Sequence, residues 1–423
     1  MSVFYLENTV QKYPWGSSGF LPALLGKENP TGEPWAEMWM GDHPSGPSIA
    51  IDPASGERLS LARRITGQPV AMLGKEVSRR FGPSLPFLFK VLSASHPLSI
   101  QVHPSKRKAE RGYEREELAA IPRTSADRNY KDTNHKPETI VALGPFKGLC
   151  GFRPVEEILG NIRLLSPNGW RQLAGRLAER HGTLELSVFF YTVVSMKGPE
   201  KDALLAATRQ RCSHILSTAD PVTAEPFKVV SMLLDAYPGD IGALAPLAFN
   251  IFNLKPGQYL NISAGQPHAY LHGDGIEIMA NSDNVLRGGL TGKHVDIPEF
   301  ISALDFAARY LGPEDLPETA PGGIARRTQT NDTDPDAQAG MFRYHGHPED
   351  YTLDRLTLDG GSMSMPRNDG PEIWLCTEGE LTLEAAGKPP YTLTRGQSVY
   401  VSADEPGCTV SGSGQAFIAG VGV

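Results

Sequence analysis

Cysteine is scarce. The 423 residues include four, Cys150, Cys212, Cys376 and Cys408, which lie far apart and form no Cys-x-x-Cys pair. That pattern suggests neither a disulfide framework nor a thiolate metal site, and it suits a reducing cytoplasm. Long apolar runs are missing as well. Residues 1–15 carry Glu7, Asn8, Gln11 and Lys12 where a signal peptide needs an apolar stretch, and no later run reaches bilayer-spanning length. A soluble cytoplasmic protein without a membrane partner is expected. There is no long basic run either, and together with a net charge of -8 this argues against a nucleic-acid partner, whose phosphates would need a positive face. No apolar stretch marks an interface, so a monomer is expected. The length suits two or three domains with at least one large core.

What is present concentrates between Gln101 and Glu138. Gln101 and His103 stand two apart in an apolar, partly β-branched run, so on a strand both point to one face and Val102 to the other. Glu138 opens a second run, Thr139-Ile-Val-Ala-Leu143, behind Pro137, and His268 follows much later in Ala264-Gly-Gln-Pro-His-Ala-Tyr270. Two imidazoles, one carboxylate and one amide oxygen suit a borderline cation such as zinc and leave room for a water or substrate. On spacing alone, a strand His or Gln is more often a hydrogen-bonded core or rim residue than a ligand.

Periodicity divides the rest of the chain. Trp35 to Met40 reads as a strand with Ala36, Met38 and Met40 on one face, residues 59–80 read as helical, and Leu85 to Leu92 reads as a buried strand interrupted by Lys90. A lysine there must reach water or an anion, because burying an unpaired ammonium is costly. Between 153 and 248 the spacing of Val155, Ile158, Leu159, Ile162 and Leu165 turns helical, with further helices near 200–217 and 224–236. Strands return at Phe249–Leu254, followed by the turn Lys255-Pro-Gly-Gln258, and 315–340 reads as a linker or long loop. Gly257-Gln-Tyr-Leu-Asn-Ile-Ser-Ala264 aligns without gaps on Gly396-Gln-Ser-Val-Tyr-Val-Ser-Ala403, a weak repeat that implies two related β-barrels or sandwiches. In that register His268 falls opposite Gly407, so the second copy lacks the ligand. The fold class is thus mainly β with a helical insertion.

After the fourth ligand, Glu277 sits between Ile276 and Ile278 and faces whatever holds His268. Arg287 precedes Gly288-Gly289, and Lys293 follows in the same loop. This pair of cations in an acidic protein suggests an anion such as phosphate, although Lys293 also fits an ordinary surface charge.

Five ordered segments resemble the type I mannose-6-phosphate isomerases: Phe87-Leu-Phe-Lys-Val-Leu92, Pro97-Leu-Ser-Ile-Gln-Val-His-Pro104, Arg128 to Glu138, Pro267-His-Ala-Tyr-Leu271 and Ala280 to Arg287. The resemblance runs nearly end to end and departs at no ligand position. It implies that Gln101, His103, Glu138 and His268 bind one zinc ion, that Arg287 is catalytic, and that Lys90, Ser99, Lys136 and Lys293 contact the phosphosugar substrate. It also implies cupin-type β domains of barrel or jelly-roll form, with 1–152 and 249–314 making the catalytic domain and 153–248 a helical domain. Residues 341–423 would then be a cupin-like domain without metal ligands.

Interconverting an aldose and a ketose phosphate needs a proton taken from the carbon beside the carbonyl and returned to its neighbour through an enediol. A redox-inert metal and Arg287 can stabilise the charge that develops on oxygen. Glu277, His135 and Lys136 are rivals for the proton shuttle. Two other readings use the same residues: an iron oxygenase of the cupin type, disfavoured by Gln101 and the cationic set, and a non-catalytic sugar-phosphate sensor, disfavoured by Arg287 and Glu277 beside a complete ligand set.

Overall fold

A strand flanked on both faces is expected to be largely apolar, and Phe87–Ala94 is buried along its whole length and apolar except at Lys90 and Ser93. Where one face is reserved for chemistry, alternation appears. Ile100 and Val102 enter an apolar core, while Gln101 between them is only half-buried. These two strands anchor the site in the computed structural model, which describes residues 3–165, 169–311, 340–346, 349–366, 369–385 and 387–422. The expected linker 315–340 lies outside the described residues apart from Gly340.

The strands preceding the helical insertion are β1 (Val3–Glu7), β2 (Thr9–Gln11), β3 (Glu37–Met40), β4 (Ile49–Ile51), β5 (Arg58–Ser60), β6 (Phe87–Ala94), β7 (Ile100–Val102), β8 (Glu138–Ala142) and β9 (Phe146–Phe152). Those after it are β10 (Phe249–Leu254), β11 (Tyr259–Ile262), β12 (His268–Ala280) and β13 (Leu286–Gly289). The last group is β14 (Met341–Tyr344), β15 (Thr352–Pro366), β16 (Glu372–Ala385), β17 (Tyr391–Thr394), β18 (Ser398–Val401) and β19 (Gly407–Gly420).

Strand β12 organises the first sheet. Its opening residues pair with β9 on one edge and, at His268, with β7 on the other; beyond Gly273 its partners are β6 and β8. Gly273 has φ +133°, and a Cβ there would fall 2.7 Å from Phe146 Cα. Only glycine fits this bend. Gly273→Ala is therefore expected to destabilise the protein by about 3 kcal/mol or more, from the combined strain and overlap. Urea unfolding of the purified variant checks this; an unchanged midpoint would refute it.

The second sheet runs β14-β15-β19-β16-β18-β1-β4-β5, with β17 on β16. The segment 1–152 thus does not pair as one unit, because β1, β4 and β5 join strands from the far end of the chain. The fold is mainly β with a helical insertion, but no pairing among the described residues closes either sheet into a barrel. The helix expected over 59–80 is three short ones, Leu61–Gly67, Pro69–Leu73 and Lys75–Phe81, preceded by β5. Pro69 starts the second helix, and Gly74, at φ +84°, ends it.

The repeat extends to hydrogen bonds. Gly257 and Gly396 take φ +84° and +87°. Gln258 Oε1 accepts from Lys255 N at 2.8 Å, and Gln397 Oε1 accepts from Thr394 N at 2.9 Å. Ala142 and Cys376 each accept from the repeat glycine's N–H at 2.8 Å. His268 opens β12 and Gly407 opens β19.

The insertion follows its predicted stripe: Val155, Ile158, Leu159, Ile162 and Leu165 are buried in the helix Val155–Leu165. The helices Gly198–Thr218 and Pro221–Ala236 follow, the latter capped by Asp220. Their core is continuous with Ile100 and Val102, so the helical layer supports the back of β7. No helix among the described residues is long and apolar enough to cross a membrane.

Candidate metal centre and surrounding polar cluster

Strand β7 sets Gln101 opposite His268 on one edge and opposite Arg287 on the other. His103 lies one residue beyond the strand, and Glu138 begins β8. His103 Nδ1 is 2.8 Å from the Asn284 carbonyl, and His268 Nδ1 is 3.0 Å from the Gln266 carbonyl. Each ring donates from Nδ1, which leaves a lone pair on Nε2. Those lone pairs meet one carboxylate: His103 Nε2 is 3.2 Å from Glu138 Oε1, and His268 Nε2 is 3.5 Å from Glu138 Oε2.

Lone pairs facing carboxylate oxygens repel unless a cation lies among them. The imidazoles do not supply it, because burial pulls His103 down to about 4, against the pull of Glu138, and lowers His268 in the same sense. His103 Nε2 is buried and makes no hydrogen bond. The three donor atoms lie within 4.8 Å of one another. This donor set fits a zinc-type ion, and Gln101 is the cross-strand partner of His268.

Lys90 is enclosed rather than at the surface. Its Nζ is 3.1 Å from Glu277 Oε2 and 3.8 Å from Glu37 Oε2, and it lies over the Trp39 ring at 5.5 Å. Burial opposes its charge, but Glu37, Glu277 and Glu138 together raise its pKa. Glu277 Oε1 accepts from Tyr270 OH at 3.0 Å. Burial raises the Glu277 pKa, against the pull of Lys90. Lys136 Nζ lies 3.1 Å from Glu138 Oε1. Burial opposes ionisation of Glu138, but Lys136 and His103 outweigh it and hold the carboxyl well below its usual range.

Arg287 is half-buried on β13 and has no acidic partner among the described residues; burial lowers its pKa. Lys293 is exposed, and its pKa is lowered by partial burial and then by repulsion from Arg287 and Lys131. These groups form a cationic rim. Ser99 is half-buried in the segment leading into β7. His135 is turned to the Asp350 carboxylate at 2.9 Å and is not joined to the Glu138 cluster.

Four residues went unread in the sequence. Glu37 and Trp39 lie opposite Met38 and Met40 in an alternating strand, so a carboxylate in an apolar run was the available signal. Tyr270 stands two residues after a predicted ligand, on the same face of β12. Asn284, fully buried, donates from Nδ2 to the Asp132 and Asn134 carbonyls and accepts from Lys131 N, while its own carbonyl orients His103. Only the tertiary fold reveals that role.

The second sheet carries none of this cluster except one carboxylate. Glu138 pairs with Ile262, and at the equivalent register Glu372 pairs with Val401. In that register the cross-strand pair Lys90 and Glu277 becomes Asp354 and Ile418, and in the gap-free sequence alignment His268 becomes Gly407.

Among known proteins, the family model for the catalytic domain of type I phosphomannose isomerase matches residues 3–155. The mannose-6-phosphate isomerase of Escherichia coli (strain K12) is 38% identical over 411 residues, covering 97% of each chain. That of Rattus norvegicus is 33% identical over 429 residues, covering 95% of this chain and 94% of the other. A solved mannose 6-phosphate isomerase with zinc bound superposes with a TM-score of 0.87 at 36% identity, the match covering 100% of both chains. Similarity of this depth across almost the whole length means that the chain belongs to the type I phosphomannose isomerase family.

Proposed function

We propose that the protein is a zinc-dependent aldose-ketose isomerase that interconverts mannose 6-phosphate and fructose 6-phosphate through an enediol. The observation that carries this reading is the convergence of the two Nε2 lone pairs and the Glu138 carboxylate on one point, with Arg287, which has no acidic partner among the described residues, opposite Gln101 on the neighbouring strand. Gln101, His103, Glu138 and His268 would hold the ion. Zinc bound there would supply a Lewis acid for the oxygens of the open-chain sugar.

The chain's own groups do the rest. Glu277 takes the proton from the carbon beside the carbonyl and returns it to the neighbouring carbon. Both of its oxygens are held in place, each retains a second lone pair, and burial makes the carboxylate more basic. Arg287, without an acid of its own, stabilises the negative charge of the enediolate. Lys293 and Lys131 attract the phosphate to the rim. Lys136 holds Glu138 and remains the rival for the shuttle. The reading extends to a cytoplasmic monomer whose partner is a small phosphosugar.

Removing the metal with a chelator should abolish isomerisation of mannose 6-phosphate, and stoichiometric zinc should restore it. A folded, zinc-loaded protein that yields no fructose 6-phosphate would overturn the reading. Oxygen consumption with ferrous iron would then favour the oxygenase, and phosphosugar binding without turnover the sensor.

A further inference from the structure

The extended segment that carries Lys136 and enters β8 at Glu138 has a second face. Residues alternate along an extended segment, so Lys136 and Glu138 share the side toward the metal centre, while His135 and Thr139 share the other. Both residues on that back face are held from the far end of the chain. His135 Nε2 meets Asp350 Oδ1 at 2.9 Å, and Thr139 Oγ1 meets Tyr351 OH at 3.0 Å. Asp350 is 6% exposed and Tyr351 2% exposed, so neither contact is a loose surface pairing. Thr139 also donates to Asn261 Oδ1 at 2.7 Å, and Asn261 donates to the His345 carbonyl. The packing is close: a Cβ on Gly346 would lie 2.9 Å from Thr139 Oγ1.

We infer that Asp350 and Tyr351 are positioning residues for the metal centre, gripping His135 and Thr139 from behind so that Glu138 and Lys136 stay aligned on the front. The part of the chain that lacks the ligand set thereby takes part in zinc binding. This rests on the proposed zinc isomerase, and it concerns ligand placement rather than chemistry. Adjacent anchors matter because a carboxylate ligand displaced by a fraction of an ångström loses metal affinity, and supporting partners of ligands typically contribute about 10–100-fold.

The test measures zinc affinity by competition with a chromophoric chelator, without substrate, and separately kcat and KM at saturating zinc. Asp350→Ala and Tyr351→Phe should each weaken zinc binding, with the double variant losing about 10–100-fold. At saturating zinc kcat should fall while KM changes less than about two-fold, since the phosphate contacts lie elsewhere. Asp350→Asn, which keeps an oxygen acceptor for His135, should recover much of the loss. In a double-mutant cycle, His135→Ala combined with Asp350→Ala should cost no more than either alone. Tyr351→Phe retains the ring, so the proposal does not depend on a variant that fails to fold. Zinc affinity within two-fold of wild type in both single variants and the double variant overturns it, as does a loss confined to thermal stability. A wild-type protein that binds zinc but does not turn over the sugar defeats the isomerase reading alone; one that binds no zinc defeats both.

Discussion

Glu277→Gln lowers kcat by about 10²–10⁴-fold, the range expected when a positioned general base is removed. Glutamine keeps the size of the side chain and one oxygen for the Tyr270 hydroxyl. The variant should therefore fold and bind zinc as wild type does, and its defect should appear in the chemical step. Lys90 keeps Glu37 as a neighbour at 3.8 Å, so its charge is not left alone. Steady-state kinetics give the loss. Incorporation of solvent deuterium at the carbon beside the carbonyl should fall in parallel, because it reports proton abstraction directly. If Glu277→Gln retains near-normal turnover while Lys136→Met loses it, the shuttle is Lys136 and the assignment moves there.

Lys90→Met is expected to destabilise the zinc-loaded protein by about 3–5 kcal/mol, the cost of breaking a buried ion pair from one side. The substitution preserves length and apolar character but leaves Glu277 and Glu37, 3% and 7% exposed, without their cation. The second variant makes the argument decisive. Adding Glu277→Gln to Lys90→Met removes one of the two stranded charges, so the double variant should be more stable than Lys90→Met alone although it has lost more polar groups. Urea midpoints measured side by side test this. The resemblance implies that Lys90 contacts substrate. If that were its whole role, Lys90→Met would raise KM and leave the urea midpoint in place.

Local patterns were legible because they repeat at short range. The alternation Ile100, Gln101, Val102 fixed which way the ligand strand faces, and the three-and-four spacing from Val155 to Leu165 fixed the helical insertion. The turn Gly257-Gln258 and its counterpart Gly396-Gln397 could be aligned because each needs a left-handed glycine followed by a side-chain amide. Features that depend on distant partners could not be read. Glu37 meets Lys90 across β3 and β6, and nothing near either residue names the other. Asp350 faces His135 across a large sequence separation. The pairing of β1 with β18 has no local signature, since a short, mostly apolar strand suits many sheet edges equally well. Helix punctuation was visible but undervalued: Pro69 and Gly74 divide what the apolar spacing joins.

That pairing has a consequence for how the protein is made. Tyr5 lies opposite Val399 and Val3 opposite Val401, so β1 waits for a strand that is synthesised much later. Until then β1 has only β4 as a neighbour and its other edge is unpaired, the condition under which strands associate with the wrong chain. Closing so long a loop is entropically slow rather than prohibitive. Synthesis interrupted before Ser398 would therefore leave an N-terminal segment that is sound in sequence yet prone to aggregate. The C-terminal sheet acts, in this sense, as a built-in chaperone that arrives late.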